Sequence, residues 1–227
     1  MGFFCYLKLF LYISDMKKFI AILLVLVPFV CSTQTNEEML MIYEINKIRS
    51  NPKSYIPKVE KYLDAQKWLL SRYDDPKSTI KTVSYTGNKD VNNKNINIKK
   101  TTGKDVHIRN IKVAEELISI LDTLTPMDTL VFDSLMYKIT VSHGEYLKSV
   151  NQTGHYGPNG QTPFERLGPK GSENCGSSLI GLMVDAGVPG YGHRYNILNV
   201  KWKYISVYYI KGHPSWGDEY MVQNFRE

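Results

Sequence analysis

Gly-His-Tyr-Gly-Pro-Asn-Gly (154–160), Thr-Pro-Phe-Glu-Arg-Leu (162–167), Glu-Asn-Cys (173–175) and Val-Asp-Ala-Gly-Val-Pro-Gly-Tyr-Gly-His-Arg-Tyr-Asn-Ile-Leu-Asn (184–199) make up the most informative run of the chain. Two histidines and two acids, His155, Glu173, Asp185 and His193, stand there among glycines and short polar turns. Glycine frees the backbone for tight conformations, which hold side chains at a cleft rather than inside a core. Imidazole together with carboxylate is the chemistry of a divalent-metal site or of an acid–base pair. The same residues have plainer readings. The histidines can hydrogen-bond the turns around them, Glu173 can cap loop amides, and Asp185 can form the turn at a helix end.

Outward from this run the chain reads as helices first and strands last. Thr35 and Glu38 form a capping box, and Leu40, Tyr43, Ile45 and Ile48 follow at helical spacing to about Arg49. Asn51-Pro52 stops that helix and starts a second one carrying Tyr55, Ile56, Val59, Tyr62 and Leu63. A third carries Val113, Ala114, Leu117, Ile118 and Leu121 from near Asn110. A fourth, capped by Asp133, carries Leu135, Ile139, His143, Tyr146 and Leu147. Thr162-Pro163 opens one helical turn, and Ser177 or Ser178 caps a short helix that runs out at Asp185. After His193 the period changes to two: Tyr204–Ile210 and Tyr220–Phe225 read as an antiparallel pair joined by the Gly212–Gly217 turn. Helices packed on a small antiparallel sheet make an α+β domain, with the polar run crossing its mouth.

Two segments stand apart. Met16-Lys17-Lys18 followed by the apolar run Phe19–Val30 and the small polar Cys31–Thr35 reads as an upstream extension and secretory signal over residues 1–32, with cleavage near Thr33. The apolar run is short for a membrane span, and Cys31 as a lipid anchor is the rival reading. Residues from about 74 to 105, rich in Lys, Asn and Thr, lack periodic apolar positions and read as a mobile surface insertion, a hairpin being one form of it. The formal charge is +6. The leader contributes +2 and residues 76–105 contribute +5, which leaves −1 for the rest. Basic character is confined to a leader and one loop, so no nucleic-acid face is expected. Cleavage near Thr33 leaves Cys175 as the one cysteine, and an exported chain of this kind relies on its core rather than on disulfides.

Met39–Arg49 with its Ile-Asn-x-x-Arg pattern, Leu130–Leu147, Gly154-His155, Glu173-Asn174, Gly192-His193-Arg194 with Asn196-Ile197-Leu198, and the closing hairpin together resemble the CAP superfamily. This is the SCP domain of cysteine-rich secretory proteins, antigen 5 and pathogenesis-related proteins. The resemblance covers roughly 150 residues, and the order of the motifs is its specific part. Val184–Pro189 ahead of Gly192-His193-Arg194 looks like the family's exported bacterial branch. The resemblance implies an α-β-α sandwich with a cleft lined by two histidines and two acids. Here these are His155, Glu173 and His193, with Asp185 where the second acid, often Glu, is expected. Arg166, Asn174 and Arg194 are supporting residues that anchor the loops.

Two classes of function follow, with a structural cell-envelope protein whose cleft is vestigial as a third option. One is an exported, non-enzymatic binding module whose cleft takes a divalent cation of the zinc class together with a small molecule, a lipid or a cell-envelope or extracellular protein. The other is an extracytoplasmic hydrolase, with zinc on His155 and His193 or with Cys175 as nucleophile. The chain lacks His-Glu-x-x-His, and Glu173 beside Cys175 would raise a thiol pKa.

Overall fold

Thr35 begins the fold as its sequence predicts. Its hydroxyl accepts the Glu38 amide at 3.3 Å and the Glu38 carboxylate returns to the Thr35 amide at 2.7 Å, which fixes the start of α1 (Asn36–Ser50). The computed structural model describes residues 34–73, 83–89 and 95–227, of which 83–89 and 95–102 by their backbone. The expected leader and its cleavage site lie outside the described residues, as do residues 74–82 and 90–94 of the insertion. Thr33–Glu227 is one compact unit.

A short 3₁₀ turn at Pro52–Tyr55 follows α1 and leads into α2 (Ile56–Tyr73). The Asn51 side chain makes no capping bond there; Pro52 at the first position sets the turn by its fixed φ instead. β1 (Val83–Lys89) and β2 (Asn95–Thr102) pair antiparallel with a register shift between Thr86 and Asn88. α3 (Gly103–Thr123) starts seven residues before the expected Asn110, so Lys104 and Asp105 belong to its first turn rather than to the insertion. Then come β3 (Val131–Phe132), α4 (Ser134–Ser149), α5 (Pro163–Leu167), β4 (Gly171–Gly176), α6 (Leu179–Val184), α7 (Gly192–Ile197), β5 (Tyr204–Tyr209) and β6 (Met221–Arg226).

The four-stranded sheet has the order β3-β5-β6-β4. β3 is parallel to β5, and the other neighbours are antiparallel. Residue alternation along β5 assigns the two faces. Ile205 and Val207 join the core built by Ile42, Ile45 and Ile48 of α1, Val59 and Leu63 of α2, and Leu117 and Leu121 of α3. Ser206 and Tyr208 face α4: the Thr140 and Ser206 hydroxyls meet at 2.5 Å, and the Asn224 amide donates to Thr140 at 3.0 Å. Helices therefore cover both faces, an α-β-α sandwich. The closest approach of α4 to the sheet needs Gly144, where a Cβ would lie 2.5 Å from the Tyr208 ring.

Helix faces differ in detail from the periodic reading. Leu40, Tyr43 and Leu135 are exposed, while Glu38, Ile42 and Arg49 on α1 and Met136, Tyr137 and Thr140 on α4 are buried. Polar residues account for the shift. Glu38 accepts from the Tyr137 hydroxyl at 2.9 Å and from the Tyr209 amide at 3.2 Å, so it locks α1 to both α4 and the sheet. Asn46 pairs with both backbone groups of Leu130, at 2.9 and 2.7 Å. Arg49, fully buried, donates to the carbonyls of Asp128, Ile197 and Asn199 at 2.8–2.9 Å. This is the physical content of the Ile-Asn-x-x-Arg pattern: Asn46 fixes the approach to β3, and Arg49 fixes the end of α7.

Candidate functional site

The chain leaves α4 through Asn151 at φ 50° and reaches Gly154 at φ 106°. Gly154 is held on both sides. Its amide donates to the Tyr220 hydroxyl at 2.8 Å, and its carbonyl accepts from His143 Nε2 at 3.1 Å and from the Cys175 thiol at 3.2 Å. His155 follows, half exposed. The guanidinium of Arg166, on the short α5, donates to the His155 carbonyl at 2.9 Å and to the Gln161 carbonyl at 2.8 Å, which closes the 155–161 loop. A second capping box orients α5: Thr162 and Glu165 exchange bonds at 2.7 and 3.3 Å.

Glu173 lies on β4, a strand that the glycine-rich sequence does not announce. Its side chain is fully buried. Arg166 Nη2 reaches its two oxygens at 2.9 and 2.8 Å, His155 Nδ1 reaches Oε1 at 3.1 Å, and His143 Nε2 stands 3.5 Å from Oε1. The carboxylate therefore meets side chains and caps no loop amide. Burial alone would raise its pKa. The hydrogen bond from His155 and the charges beside it, Arg166 among them, outweigh that and hold it below the usual carboxylate range. Burial lowers the pKa of His143, so its ring is neutral, donates through Nε2 and leaves Nδ1 without a partner.

The opposite wall is built from α6 and α7. Ser178 caps α6 through the Gly181 amide at 3.2 Å, and Asp185 ends it in the left-handed conformation at φ 55°. Buried Asp185 then serves His193. Oδ1 takes ring Nδ1 at 2.8 Å, and Oδ2 takes the His193 amide at 2.9 Å and the Arg194 amide at 3.4 Å. Arg194 closes the last carbonyls of α6, Met183 at 2.8 Å and Val184 at 2.7 Å, and its guanidinium lies 4.2 Å from the Tyr191 ring centre. Asn174 donates to the His193 carbonyl and to Gln223, both at 3.2 Å, and accepts from Asn196 at 2.8 Å.

His155 arrives from the α4 side and His193 from the α7 side, and they meet beyond β4 with ring centres 6.0 Å apart. They line an open cleft of about 460 Å³ together with Glu173, Tyr195, Trp202 and Lys201. Each ring has Nδ1 against a carboxylate, which accepts rather than donates, so Nδ1 carries the proton and Nε2 keeps its lone pair. Glu173 and Asp185 thereby orient the two rings. A second group, His143, Glu173 and Cys175, lies beneath the cleft with ligand atoms within 4.8 Å of one another and could hold a metal. Its chemistry is less open. Burial, and after it the charge of Glu173, pushes the Cys175 thiol well up. The thiol proton is engaged by the Gly154 carbonyl, and a cation there would compete with Arg166 for Glu173. A buried thiol held protonated is a poor nucleophile.

His155, Glu173 and His193, separated by up to 38 residues in sequence, line one cleft, while Asp185 lies buried behind it against His193. Three residues escaped the sequence reading. His143 was legible as a core-face histidine but not as a neighbour of Glu173. Asn196 contacts the Glu173 carbonyl at 3.4 Å, and Tyr220 holds Gly154. Their one signal is a polar group at a position the period assigns to the interior. His213, in the Gly212–Gly217 turn, is buried: Nε2 meets the Gln152 carbonyl at 2.8 Å and Nδ1 accepts the Ser215 amide at 3.2 Å.

No family model and no curated protein matches the chain. Among solved structures it is similar to an extracellular protein containing a SCP domain from Bacillus anthracis str. Ames. The identity is 20%, the TM-score 0.35, and the match covers 54% of this chain and 38% of that one. The match thus spans little more than a third of the length of that structure. Among the described residues no helix is long and apolar enough to cross a membrane.

Proposed function

We propose that Thr33–Glu227 is an exported, non-enzymatic binding module of the CAP type, and that its cleft binds a zinc-class cation through His155 and His193. The observation that carries this reading is the carboxylate-held imidazole pair, with Nδ1 of His155 on Glu173 at 3.1 Å and Nδ1 of His193 on Asp185 at 2.8 Å. Glu173 and Asp185 fix the tautomers and rotations of the two rings, and Arg166 and Arg194 fix the loops that carry them. A bound cation supplies a positive anchor for an oxygen of a small molecule, a lipid or a partner protein. Two protein donors leave coordination positions for water or such a ligand, as in an open site.

Calorimetric titration of the purified protein with zinc tests the reading. Binding should be reversible and roughly micromolar, about 8 kcal/mol. The His155→Ala and His193→Ala variants should each lose at least about tenfold, near 1.4 kcal/mol. Binding unchanged in the double variant rejects the site. The hydrolase alternative has less support in its thiol form, since Cys175 is buried and burial pushes its thiol pKa up.

A further inference from the structure

The segment that carries His193 is held from outside the cleft. His193 is the second residue of α7, and the loop before it runs with positive φ at Asp185, Gly187, Gly190 and Tyr191. Val188, Gly192 and His193 line the cleft, so this segment is one of its walls. Tyr191 is its unusual member. It sits at φ 52° and ψ 49°, a conformation that an aromatic L-residue enters at a cost and keeps only where its surroundings fix it. Its side chain makes no capping bond to α7.

α3 supplies the missing restraint. Glu116 Oε2 accepts from the Tyr191 hydroxyl at 3.1 Å, and Glu116 Oε1 accepts from Arg194 Nη1 at 3.2 Å. The same guanidinium lies over the Tyr191 ring. One carboxylate thus ties together the two residues that flank Gly192-His193. Two turns earlier on the same face of α3, Arg109 lies against Gly187: a Cβ there would fall 2.8 Å from its Nη1. Arg194 also spans the join between the helices, with Nε and Nη2 on the Met183 and Val184 carbonyls of α6. Asp185 can hold both the ring and the amide of His193 only while the first turn of α7 keeps its place against the end of α6. Glu116 does not line the cleft, and its side chain is half exposed. An ion pair so exposed adds little to stability. What it restricts is the freedom of the loop.

We propose that Glu116 is a positioning residue of the cleft: by holding Tyr191 and Arg194 together it sets where the His193 ring stands. Its effect on zinc rests on the reading of His193 as a ligand; the positioning itself does not.

The test reads the histidine ring nitrogens by long-range proton–nitrogen NMR on the purified protein in EDTA, with circular dichroism to show that each variant is folded. The parent should give one set of ring signals for His193, with the proton on Nδ1. Glu116→Ala should broaden or split that set and leave the set of His155 unchanged. Tyr191→Phe should disturb His193 less, since its ring still lies over Arg194. Glu116→Gln should restore the parent spectrum, because its amide oxygen accepts from Arg194 and its amide nitrogen donates to the Tyr191 oxygen. In zinc titrations without EDTA, Glu116→Ala should lose about three- to tenfold in affinity and Glu116→Gln should stay within about twofold of the parent. Parent-like His193 signals in Glu116→Ala overturn the proposal. So does equal disturbance of His155 and His193, which is general loosening, or a Glu116→Gln spectrum as disturbed as that of Glu116→Ala. Because the rings are read without zinc, a parent that binds no zinc removes the cation reading alone, and the His193 spectrum still decides the role of Glu116.

Discussion

Asp185 holds His193 at two points: Oδ1 on ring Nδ1 at 2.8 Å and Oδ2 on the backbone amide at 2.9 Å. Ring and backbone are thereby fixed by one carboxylate, with the Arg194 amide a third donor at 3.4 Å. The shortness of aspartate suits this task, since its oxygens are occupied within one turn of α7 and do not reach into the cleft. Asp185→Asn should therefore weaken zinc binding by about 10–100-fold while leaving the fold in place, because the amide places a donor against donors. Calorimetry alongside circular dichroism checks this. Undiminished affinity would show that the ring orients itself.

Stability should fall with acid in two stages. His143 is lowered from its ordinary value of 6.5 by burial. Glu173 lies below its ordinary 4.5, burial being outweighed by the hydrogen bond from His155 and by neighbouring positive charge. Both folded-state pKa values lie below the unfolded ones, so the unfolded chain binds more protons as the pH falls. Loss begins below about pH 6.5, where an unfolded His143 takes a proton that the buried ring refuses. It continues below about pH 4.5, down through the lowered value of Glu173. Melting temperatures measured from pH 8 to pH 3 should show both stages, and His143→Gln should flatten the first. A profile level from pH 7 to pH 5 contradicts the assignment.

Arg49→Met tests the anchor of the fold. The substitution keeps apolar bulk but strands the carbonyls of Asp128, Ile197 and Asn199, which Arg49 now satisfies. Each unsatisfied buried carbonyl costs about 1–3 kcal/mol, so a total of about 3–5 kcal/mol is expected, partly relieved by water. Urea unfolding measures it. A loss below about 1 kcal/mol would show that water replaces the guanidinium freely.

Element type was legible wherever pattern and capping agreed. The Thr35–Glu38 box, the Asp133 and Ser178 caps and the period-two run from Tyr204 stand where the sequence places them. β4 was not legible: Gly-Ser-Glu-Asn-Cys-Gly has little strand propensity and takes its form from pairing with β6. The exposed Leu40 and Leu135 and the buried Glu38, Arg49 and His213 share one cause. Periodicity measures apolarity, and polar groups with internal partners are buried without apolarity. In the cleft, residue types and turns pointed to His155, Glu173, Asp185 and His193. Which carboxylate meets which ring depends on β4 and on the left-handed Asp185, and neither can be read from spacing.

Arg166 and Glu173 form the most consequential buried pair of the site, with the guanidinium on both carboxylate oxygens at 2.8–2.9 Å and both side chains at least nine-tenths buried. Breaking such a pair from one side leaves an uncompensated buried charge, a cost of about 3–5 kcal/mol, whereas replacing both partners costs much less. Arg166→Met should therefore destabilise strongly, and it also frees the His155 and Gln161 carbonyls from their donor. Glu173→Gln alone leaves Arg166 buried but still bonded to two carbonyls, so its loss should be smaller. The double variant should recover part of the Arg166→Met loss, a coupling of about 1–3 kcal/mol. Zinc affinity gives the second reading. Glu173→Gln removes the acceptor that holds His155 Nδ1 and should weaken binding even where stability is retained. A cycle with no coupling would show that the two residues act independently, with Arg166 serving the loop carbonyls alone.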